Sequence, residues 1–202
     1  MPMKRRIFSY KIVRDFGFAP NPFHDYCTLA TCKPKIRNSA QPGDLIFGCG
    51  SSHLNLKDKL IYVMLVEEKM SFQEYWEDQR FKYKKPHFYS NKQNAFGDNI
   101  YHVDSNGNWT QEDSHHSFED GRINQDNMDR DLTSLHVLIS TNFIYFGDNF
   151  IDAPIFPTTG EKIYPNSRDY ITNFSDEMVN QAYDWFINYP HKGCIGSPIS
   201  WI

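Results

Sequence analysis

The sequence predicts a single α+β domain, residues 1–202, built around a mostly antiparallel, barrel-like sheet with two or more short helices. Three observations support this prediction. About six segments have the length and composition of strands, two segments carry helix-capping signals, and strands do not alternate regularly with helices as they do in a parallel sheet. A chain of 202 residues is also long enough to bury one sizeable core.

The strand predictions depend on short apolar or alternating segments. Ile7–Val13 alternates, with Phe8, Tyr10 and Ile12 on one face, whereas Leu60–Glu68 is apolar over most of its length and is the best candidate for a central strand. Further short strands are predicted at Leu45–Phe47, after the turn Pro42–Asp44, and in the segments that begin at Asn99, Leu135 and Phe143.

The helix predictions depend on capping signals. Ser71 and Glu74 have the spacing of a capping box, so a short helix should begin there. A second helix should follow Ser175, because this N-cap precedes two acidic residues and an apolar stripe with helical spacing. Between the predicted strands, Thr110–Asp131 is polar and acidic and is expected to be a surface excursion or a partly mobile loop.

Composition excludes several classes of protein. Hydrophobic residues make up 40% and charged residues 23% of the chain, as in globular proteins. None of its segments reaches the roughly 18 consecutive apolar residues that a membrane helix needs, and Lys11 and Arg14 interrupt the N-terminal apolar segment. We therefore expect a cytoplasmic protein with no membrane contact.

The four cysteines are expected to be free thiols, since none of them forms a C-x-x-C pair. We expect no metal and no cofactor. A zinc site formed by Cys27, Cys32 and His24 is the less favoured alternative, because this ligand spacing is weakly diagnostic.

Charge is distributed unevenly along the chain. Residues 1–92 contain 16 lysines and arginines against 9 acidic residues, and residues 93–202 contain 5 against 16. Such asymmetry indicates either a surface that faces a polyanion or two halves that interleave in one fold and attract each other.

The segment Asp15–Arg37 is a long loop with four aromatic rings and no regular period. Long loops of this kind are functional or disordered, and the apolar rings favour order. Lys33, Lys35 and Arg37 share one side if the end of the loop is extended. Further along, Arg80–Tyr89 alternates rings and lysines, which suits either single-stranded nucleic acid or an edge strand protected from aggregation.

The glycine-rich stretch Gly48–Ser52 lacks the pattern of a nucleotide-binding loop. Gly48 and Gly50 would nevertheless let a ligand approach the backbone, with Ser51 supplying a hydroxyl group. A bulge or a turn at a sheet corner explains the same residues without a ligand.

Catalytic groups are sparse in the sequence. The candidates for a thiol nucleophile are Cys27 and Cys32, with His24, His53 or His102 as the base. Two further sets are an acid–base pair of Asp98 with His102 and a metal site of His115 and His116 with Glu119 and Asp120. Of all these residues, Cys27, Asp98 and His102 are retained as catalytic candidates.

Five segments in this order resemble the nucleotide modification associated domain 2 family: SYKIVRDFGFAPNPFHDYCTLATCKPKIR, PGDLIFGCGS, LIYVMLVEEKMSFQEYW, GDNIYH and VLISTNFIYFGD. The resemblance implies a role with modified nucleotides or DNA, near base-modification or defence genes of prokaryotes and phages, but no particular reaction. A weaker resemblance is to PUA-like barrels, including the EVE, ASCH and YTH groups, which share a PGD turn before a strand. Several of these barrels hold a modified base in an aromatic pocket.

On this basis the Asp15–Arg37 loop is predicted to form one wall of a ligand pocket. The predicted ligand-binding residues are Phe16, Phe18, Phe23 and Tyr26 as rings, His24 and Asp25 as polar contacts, Lys33, Lys35 and Arg37 as phosphate contacts, and Gly48, Gly50 and Ser51 as backbone and hydroxyl contacts.

Three functions follow from these features. The first is a nucleotide- or modified-base-binding protein associated with DNA base modification or phage defence, whose partner is a nucleotide or a nucleic acid containing a modified base. The second is an enzyme that hydrolyses or transfers a group on a nucleotide or DNA base. The third is an assembly factor that docks a basic partner protein from a modification or defence system.

Overall fold

A computed structural model of the chain describes residues 4–167 and 169–201. The chain forms two compact units, each assembled from separate stretches of sequence. The first unit comprises residues 1–15, 40–67 and 140–202, and the second comprises residues 16–39 and 68–139. That the whole chain forms one domain stays a prediction.

Strands and short helices alternate irregularly along the chain. The strands are β1 (Ile7–Ile12), β2 (Cys27–Leu29), β3 (Leu45–Gly50), β4 (Lys59–Leu65), β5 (Glu68–Ser71), β6 (Tyr101–Val103), β7 (Trp109–Gln111), β8 (His136–Ser140), β9 (Phe143–Tyr145), β10 (Ile151–Asp152), β11 (Tyr170–Ile171) and β12 (Gly193–Cys194). The α-helices are α1 (Pro34–Ser39), α2 (Phe72–Glu77), α3 (Lys92–Ala95), α4 (Gln125–Asp131) and α5 (Asp176–Asn188).

The first unit is built on a seven-stranded sheet with the order β11-β1-β3-β4-β9-β12, in which β10 also pairs with β4. The predicted central strand is confirmed, since β4 pairs with β3, β9 and β10. Strand β1 pairs with β3 in parallel, and β12 pairs with β9 in parallel. The sheet is therefore mixed and, within the described residues, open, because β11 and β12 lie at its two ends.

The parallel pairing of β1 with β3 has a physical reason that the sequence pattern hides. Two parallel neighbours need a long connection, usually a helix of a dozen or more residues. Here the connection consists of residues 13–44, most of which belong to the second unit. The absence of strand–helix alternation therefore did not exclude parallel pairs.

Helix α5 covers the core of the first unit, as its apolar stripe predicts. Its N-cap is Ser175, whose hydroxyl accepts a hydrogen bond from the amide of Met178 at 3.2 Å. The buried stripe consists of Met178, Val179, Ala182, Tyr183 and Phe186, and these residues pack with side chains of the central strands.

The second unit contains a three-stranded sheet with the order β2-β8-β5 and a hairpin of β6 and β7. The capping box of α2 is confirmed, with Ser71 and Glu74 bonding reciprocally. Its core includes Phe18, Phe72, Tyr75, Phe81 and Tyr101, so the unit has an aromatic interior. No helix in the described part of the chain is both long and apolar enough to span a membrane.

The charge asymmetry along the sequence is absent from the units. Counted over their residues, the first unit has 10 lysines and arginines against 11 acidic residues, and the second has 11 against 14. Each unit mixes stretches from both halves of the chain. The difference between the halves therefore does not define a basic or an acidic unit.

Candidate active site

Three side chains from distant parts of the sequence meet in the second unit: Cys32, His116 and Asp131. The Sγ atom of Cys32 lies 3.6 Å from Nε2 of His116, and Nδ1 of the same ring lies 2.8 Å from Oδ2 of Asp131. The potential ligand atoms of the three side chains all lie within 4.8 Å of one another. The order sulfur, imidazole, carboxylate is that of a thiol nucleophile, its base and the group that orients the base.

Cys32 lies in the turn between β2 and α1. Its φ of +56° and the φ of +41° at Lys33 fall in the left-handed region, which residues other than glycine rarely adopt. The turn is held from two sides, because the Cys32 amide donates to Oδ1 of Asp131 at 2.9 Å and Nε of Arg37 donates to the Cys32 carbonyl at 2.8 Å. Cys32 is half-buried, so part of it faces solvent.

Asp131 is the last residue of α4 and is fully buried. Its carboxylate accepts hydrogen bonds from the Cys32 amide, from the Tyr101 hydroxyl at 3.0 Å and from His116. Burial alone would raise the pKa of Asp131, but the hydrogen bond and charge of His116 and the charge of Arg37 outweigh it and lower this pKa. Asp131 is therefore held as a carboxylate at neutral pH.

His116 is held by contacts to its ring and to its backbone. Burial would lower its pKa, but the hydrogen bonds and charges of Asp131 and Cys32 raise the pKa to about 9. The His116 carbonyl accepts hydrogen bonds from Asn127 at 2.9 Å and from Gln111 at 3.3 Å. These contacts fix the ring between the sulfur and the carboxylate.

The raised pKa of His116 predicts a pH-dependent stability. The ordinary pKa of 6.5 applies in the unfolded chain, so between pH 6.5 and about 9 the folded protein retains a proton that the unfolded chain has lost. The contribution of this proton to the free energy of unfolding is fully present below pH 6.5 and is lost as the pH rises through 9. At most it is on the order of 3 kcal/mol.

Denaturant unfolding across this pH range checks the prediction in the wild type and in His116→Asn. The variant should lack the decline that the wild type shows above pH 6.5. His53→Asn, which changes an exposed histidine of the first unit, is the matched control and should retain the decline. An equal decline in all three proteins would contradict the prediction.

The side chain of Arg37 is buried and contacts the backbone around the Cys32 group, so it does not face solvent. Its guanidinium donates to the carbonyls of Cys32, Ser134 at 2.9 Å, His136 at 2.7 Å and Asp131 at 2.6 Å. Burial lowers the pKa of Arg37 to about 10, which still leaves it charged at neutral pH. The predicted phosphate contact is therefore placed inside the second unit.

Aromatic rings lie beside the Cys32–His116–Asp131 group. The centroid of Phe18 lies 4.7 Å from that of His116, and Phe16 lies 4.6 Å from His115. Phe16 also stacks on Phe96 at 5.4 Å with ring planes 9° apart. We call Phe16, Phe18, Phe96 and His115 the aromatic rim. Phe18 is buried, Phe16 and Phe96 are half-buried and His115 is exposed, so its outer members present ring surface to solvent.

The remaining residues of the predicted loop lie elsewhere in the second unit. Phe23 is buried, and Tyr26 packs edge-on against Phe81 at 5.0 Å. His24 and Asp25 form the tip of the loop, both with positive φ, and the His24 ring lies 5.8 Å from that of Tyr83. The loop thus divides into a site end at Phe16 and Phe18 and a tip at His24 and Asp25.

The predicted cations and glycines also separate. The loop ends in α1 rather than in an extended segment, with Lys35 exposed, Lys33 half-buried and Arg37 inside. Gly48, Gly50 and Ser51 belong to the first unit. A Cβ atom on Gly48 would lie 2.1 Å from the ring of Tyr62, and one on Gly50 would lie 2.4 Å from the Leu56 carbonyl. Close packing at a shift in strand register explains both glycines.

Of the catalytic candidates from the sequence, Cys27, Asp98 and His102 all lie outside the Cys32 group. Cys27 is fully buried in β2. Asp98 is fully buried and accepts hydrogen bonds from Thr28 at 2.6 Å and Tyr75 at 2.8 Å. Burial raises the pKa of Asp98, and the nearby ammonium of Lys84 opposes that rise.

His102 belongs to a separate cluster at the surface of the second unit. Its Nε2 lies 2.6 Å from Oε1 of Glu112, and its ring stacks on Trp76 at 3.9 Å. The ammonium of Lys85 lies 3.5 Å from the centroid of the same Trp76 ring. The contact of His102 with Trp76 packs β6 against α2. None of the four residues named here is a cysteine, so they do not include a thiol nucleophile.

The sequence does not identify the Cys32 group as a set. It offers Cys32 and His116 with other partners, and Asp131 carries no local signal of a site. Among the described residues, Cys32, His116 and Asp131 are the one set of three or more histidine, cysteine, aspartate or glutamate side chains close enough to bind the same metal ion. The zinc alternative of Cys27, Cys32 and His24 and the set around His115 do not meet that criterion.

Cysteine, histidine and aspartate are also zinc ligands, so the Cys32 group has the donor types of a metal site. In this geometry, however, the Asp131 carboxylate bonds to the His116 ring, whereas a metal ion would need it to face a point between the three side chains. A carboxylate bonded to the far nitrogen of an imidazole orients the ring and fixes its proton. The arrangement therefore fits a proton relay better than a metal centre.

The first unit thus has a mixed sheet, and the second unit contains a thiol–imidazole–carboxylate group. The model of the nucleotide modification associated domain 2 family matches residues 4–202, so the chain belongs to that family, as its segments predicted. The family description links the chain to nucleotide modification. No curated protein and no solved structure matches the chain.

Proposed function

We propose that this protein is a cysteine-dependent enzyme that hydrolyses or transfers a group on a nucleotide or on a base in DNA. The observation that carries the proposal is the continuous contact from Cys32 through His116 to Asp131, at 3.6 and 2.8 Å. Nucleotides are proposed as the substrate class because the family description names nucleotide modification.

In the proposed reaction the Cys32 sulfur attacks an electrophilic carbon of the substrate. A carbon–sulfur bond forms, the bond to the leaving group breaks, and Nε2 of His116 gives its proton to the leaving group. Water or a second substrate then attacks the same carbon and loses its proton to His116. The carbon–sulfur bond breaks and the sulfur is released as the nucleophile for the next cycle. Asp131 keeps the imidazole oriented and stabilises its protonated form.

The aromatic rim supports a nucleobase as the group that lies over the site. Flat bases stack on aromatic faces, and Phe16, Phe96 and His115 present partly exposed rings. Phe18 is buried against His116 and would set the depth that a base can reach. A base within duplex DNA would have to leave the stack first, at a cost of about a few kcal/mol.

Binding of a modified base without turnover, in a DNA-modification or phage-defence system, is the second candidate function. The stacked pair of Phe16 and Phe96 favours it, because a stacking surface needs no nucleophile. A likeness to PUA-like barrels, which would support base binding, stays a prediction, as does a cytoplasmic location. Docking of a basic partner protein has less support than the sequence suggested, since the acidic residues are divided between both units.

Alkylation of the cysteines tests the proposed nucleophile without a known substrate. Cys194 is exposed and lies in the first unit, so it is an internal reference for an ordinary thiol. We expect iodoacetamide to modify Cys32 about tenfold faster than Cys194 near pH 7, although Cys32 is less exposed, because the His116 ring lies 3.6 Å from its sulfur and reactive cysteines lie beside such groups. Peptide mass spectrometry of timed samples gives both rates in one experiment.

The His116→Asn variant is the discriminating control. Its Cys32 rate should fall to that of Cys194 or below, whereas the Cys194 rate should not change. A Cys32 rate that is lower than that of Cys194 in the folded wild type would argue against a nucleophilic role and in favour of the binding function. An equal Cys32 rate in the wild type and in His116→Asn would remove His116 from the proposed mechanism.

A further inference from the structure

A basic and aromatic surface of the second unit lies apart from the Cys32 group. Residues 79–97 contain five lysines and arginines and no acidic residue, although the second unit as a whole has more acidic than basic residues. The acidic residues of the unit are concentrated instead between residues 98 and 131. Lys84 is buried and Arg80 is paired with Glu68 and Asp78, so the remaining positive charge of this segment lies on Lys82, Lys85 and Lys92.

The backbone of this segment explains which side chains face outward. Residues Gln79–Lys84 form 3₁₀ turns with a kink at Phe81, and side chains in such turns repeat about every three residues rather than every two as in a strand. Phe81 and Lys84 are accordingly buried together, while Lys82 and Tyr83 are exposed. The alternation of rings and lysines in the sequence is thus not that of an edge strand, and one lysine of the series belongs to the interior.

The segment encloses an open cavity of about 350 Å³. This volume lies within the range typical of small-ligand sites. Among the described residues, the cavity is lined by Lys82, Tyr83, Lys85, Pro86, His87, Ser90 and Asn94. None of these seven residues is acidic. Ammonium groups, hydroxyls and an amide are groups that hold a phosphodiester or the polar edge of a base.

One exposed ring, Tyr83, lines the cavity, and two more, Phe88 and Tyr89, follow the lining residue His87 in the sequence. Tyr83, Phe88 and Tyr89 are exposed to 57%, 50% and 97%, and exposed apolar side chains that are grouped together are typical of interaction sites. The Lys82 ammonium lies 4.8 Å from the Tyr83 ring centroid, so a ring and a cation are presented together. Stacking platforms beside cations are the arrangement that binds single-stranded nucleic acid without sequence preference.

The chain links this surface to the candidate active site. Asn94 lines the cavity from α3, and Phe96, which immediately follows that helix, belongs to the aromatic rim. The Asn21 side chain donates to the Phe96 carbonyl at 2.9 Å and so ties the end of α3 to the Asp15–Arg37 loop. A short stretch of backbone therefore joins the cavity to the aromatic rim.

We infer that the surface of Lys82, Tyr83, Lys85, His87 and Tyr89 binds a single-stranded segment of nucleic acid, so that the substrate is a base in a polynucleotide rather than a free nucleotide. The statement that the bound polynucleotide is the substrate rests on the proposed function. Its binding part is independent, because none of these residues belongs to the Cys32 group. Duplex DNA does not fit the surface as well, since its bases are not available for stacking on exposed rings.

Fluorescence anisotropy with a short single-stranded oligothymidylate tests the inference. We expect the variant Lys82→Ala/Lys85→Ala to bind more weakly and with a shallower salt dependence, the slope falling by about 0.7 for each phosphate that the variant no longer neutralises. Tyr89→Ala should weaken binding about 5- to 150-fold, as expected when one base has no ring to stack on. Lys57→Ala, at an exposed lysine of the first unit, is the matched control and should bind like the wild type.

Any of five results would overturn the inference. Two concern the oligonucleotide: no binding by the wild type, or an unchanged salt slope in Lys82→Ala/Lys85→Ala. The other three are an affinity of the wild type for thymidine monophosphate, for a duplex or for polyglutamate that equals its affinity for the oligonucleotide. The same samples should be alkylated in parallel. A normal Cys32 rate in Lys82→Ala/Lys85→Ala, together with weakened oligonucleotide binding, supports the inference on its own. A Cys32 rate no higher than that of Cys194, with full oligonucleotide binding by the wild type, would instead point to a failure of the proposed function.

Discussion

Arg37→Ala is expected to lower the free energy of unfolding by about 3–5 kcal/mol, which corresponds to a fall in Tm of roughly 10 °C for a chain of this size. The guanidinium is fully buried and donates to the main-chain carbonyls of Cys32, Asp131, Ser134 and His136. Removing it takes a donor from all four acceptors, although the Asp131 carbonyl still accepts from the Ser134 amide at 3.3 Å, and a buried acceptor left unpaired costs about 1–3 kcal/mol unless water replaces the bond.

Two further variants sharpen the Arg37 prediction. Arg37→Lys keeps the charge but not the planar fork, so it should recover only a small part of the stability. Lys35→Ala, on the exposed side of the same helix, should change the free energy of unfolding by less than about 0.5 kcal/mol. Denaturant unfolding measures all three. An Arg37→Ala protein as stable as Lys35→Ala would show that the guanidinium contacts do not hold the Cys32 turn.

Lys84→Met should be comparably destabilising, again by about 3–5 kcal/mol. The Lys84 ammonium is fully buried and donates to the carbonyls of Asn21 at 2.9 Å and Tyr26 at 2.7 Å and to the Thr28 hydroxyl at 3.1 Å. Thr28 in turn donates to the buried carboxylate of Asp98 at 2.6 Å. Removing the cation therefore takes a donor from the Tyr26 carbonyl and leaves a buried carboxylate without its counter-charge, whereas the Asn21 carbonyl still accepts from the Thr28 amide at 2.9 Å.

A double-mutant cycle separates these two effects. Asp98→Asn removes the negative charge at nearly constant shape, so in the Lys84→Met background it should cost less than it does alone. A coupling free energy of about 0.5–3 kcal/mol is expected for groups within one network. Additive effects in the double variant would show that Lys84 stabilises the loop through its carbonyl contacts alone, without the charge of Asp98.

Both predictions concern the order of the Asp15–Arg37 loop. Lys84 bonds to the loop near Asn21 and Tyr26, and Arg37 closes it at the Cys32 turn. A segment of this length whose regular elements are only the short β2 and α1 is costly to order, and buried cations bonded to its carbonyls offset part of that cost. The positive φ at Cys32 then persists because its neighbours hold it, which keeps the sulfur facing His116.

The local elements could be predicted from the sequence because their signals are local. The alternation in β1, the apolar run in β4, the capping box of α2 and the N-cap of α5 each depend on residues within a few positions of one another. Side-chain periodicity and capping hydrogen bonds act at that range. The family resemblance also followed from contiguous segments, and the family match over residues 4–202 confirms it.

The parallel pairing and the roles of the charged residues required the folded chain. Lys84 and Lys82 look alike in the sequence, and only the 3₁₀-helix turns the first inward and leaves the second exposed. Similarly, Arg37 resembles Lys35 as a possible phosphate contact until the guanidinium is seen to bond buried carbonyls. The residue type alone does not tell whether a lysine or arginine binds a ligand at the surface or bonds to carbonyls in the interior, because both residues occur in both places.

By itself the sequence determined the strands, the capped helices, the family and an ordered aromatic loop beside a proposed nucleotide site. Only the tertiary structure decided that Cys32 meets His116 and Asp131, which lie 84 and 99 residues away along the chain. No local pattern records such a meeting, since it depends on how β2, α4 and the segment before α4 pack in the second unit. A site formed by three separate segments follows from long-range packing and hydrogen bonding, which a single sequence read segment by segment does not contain.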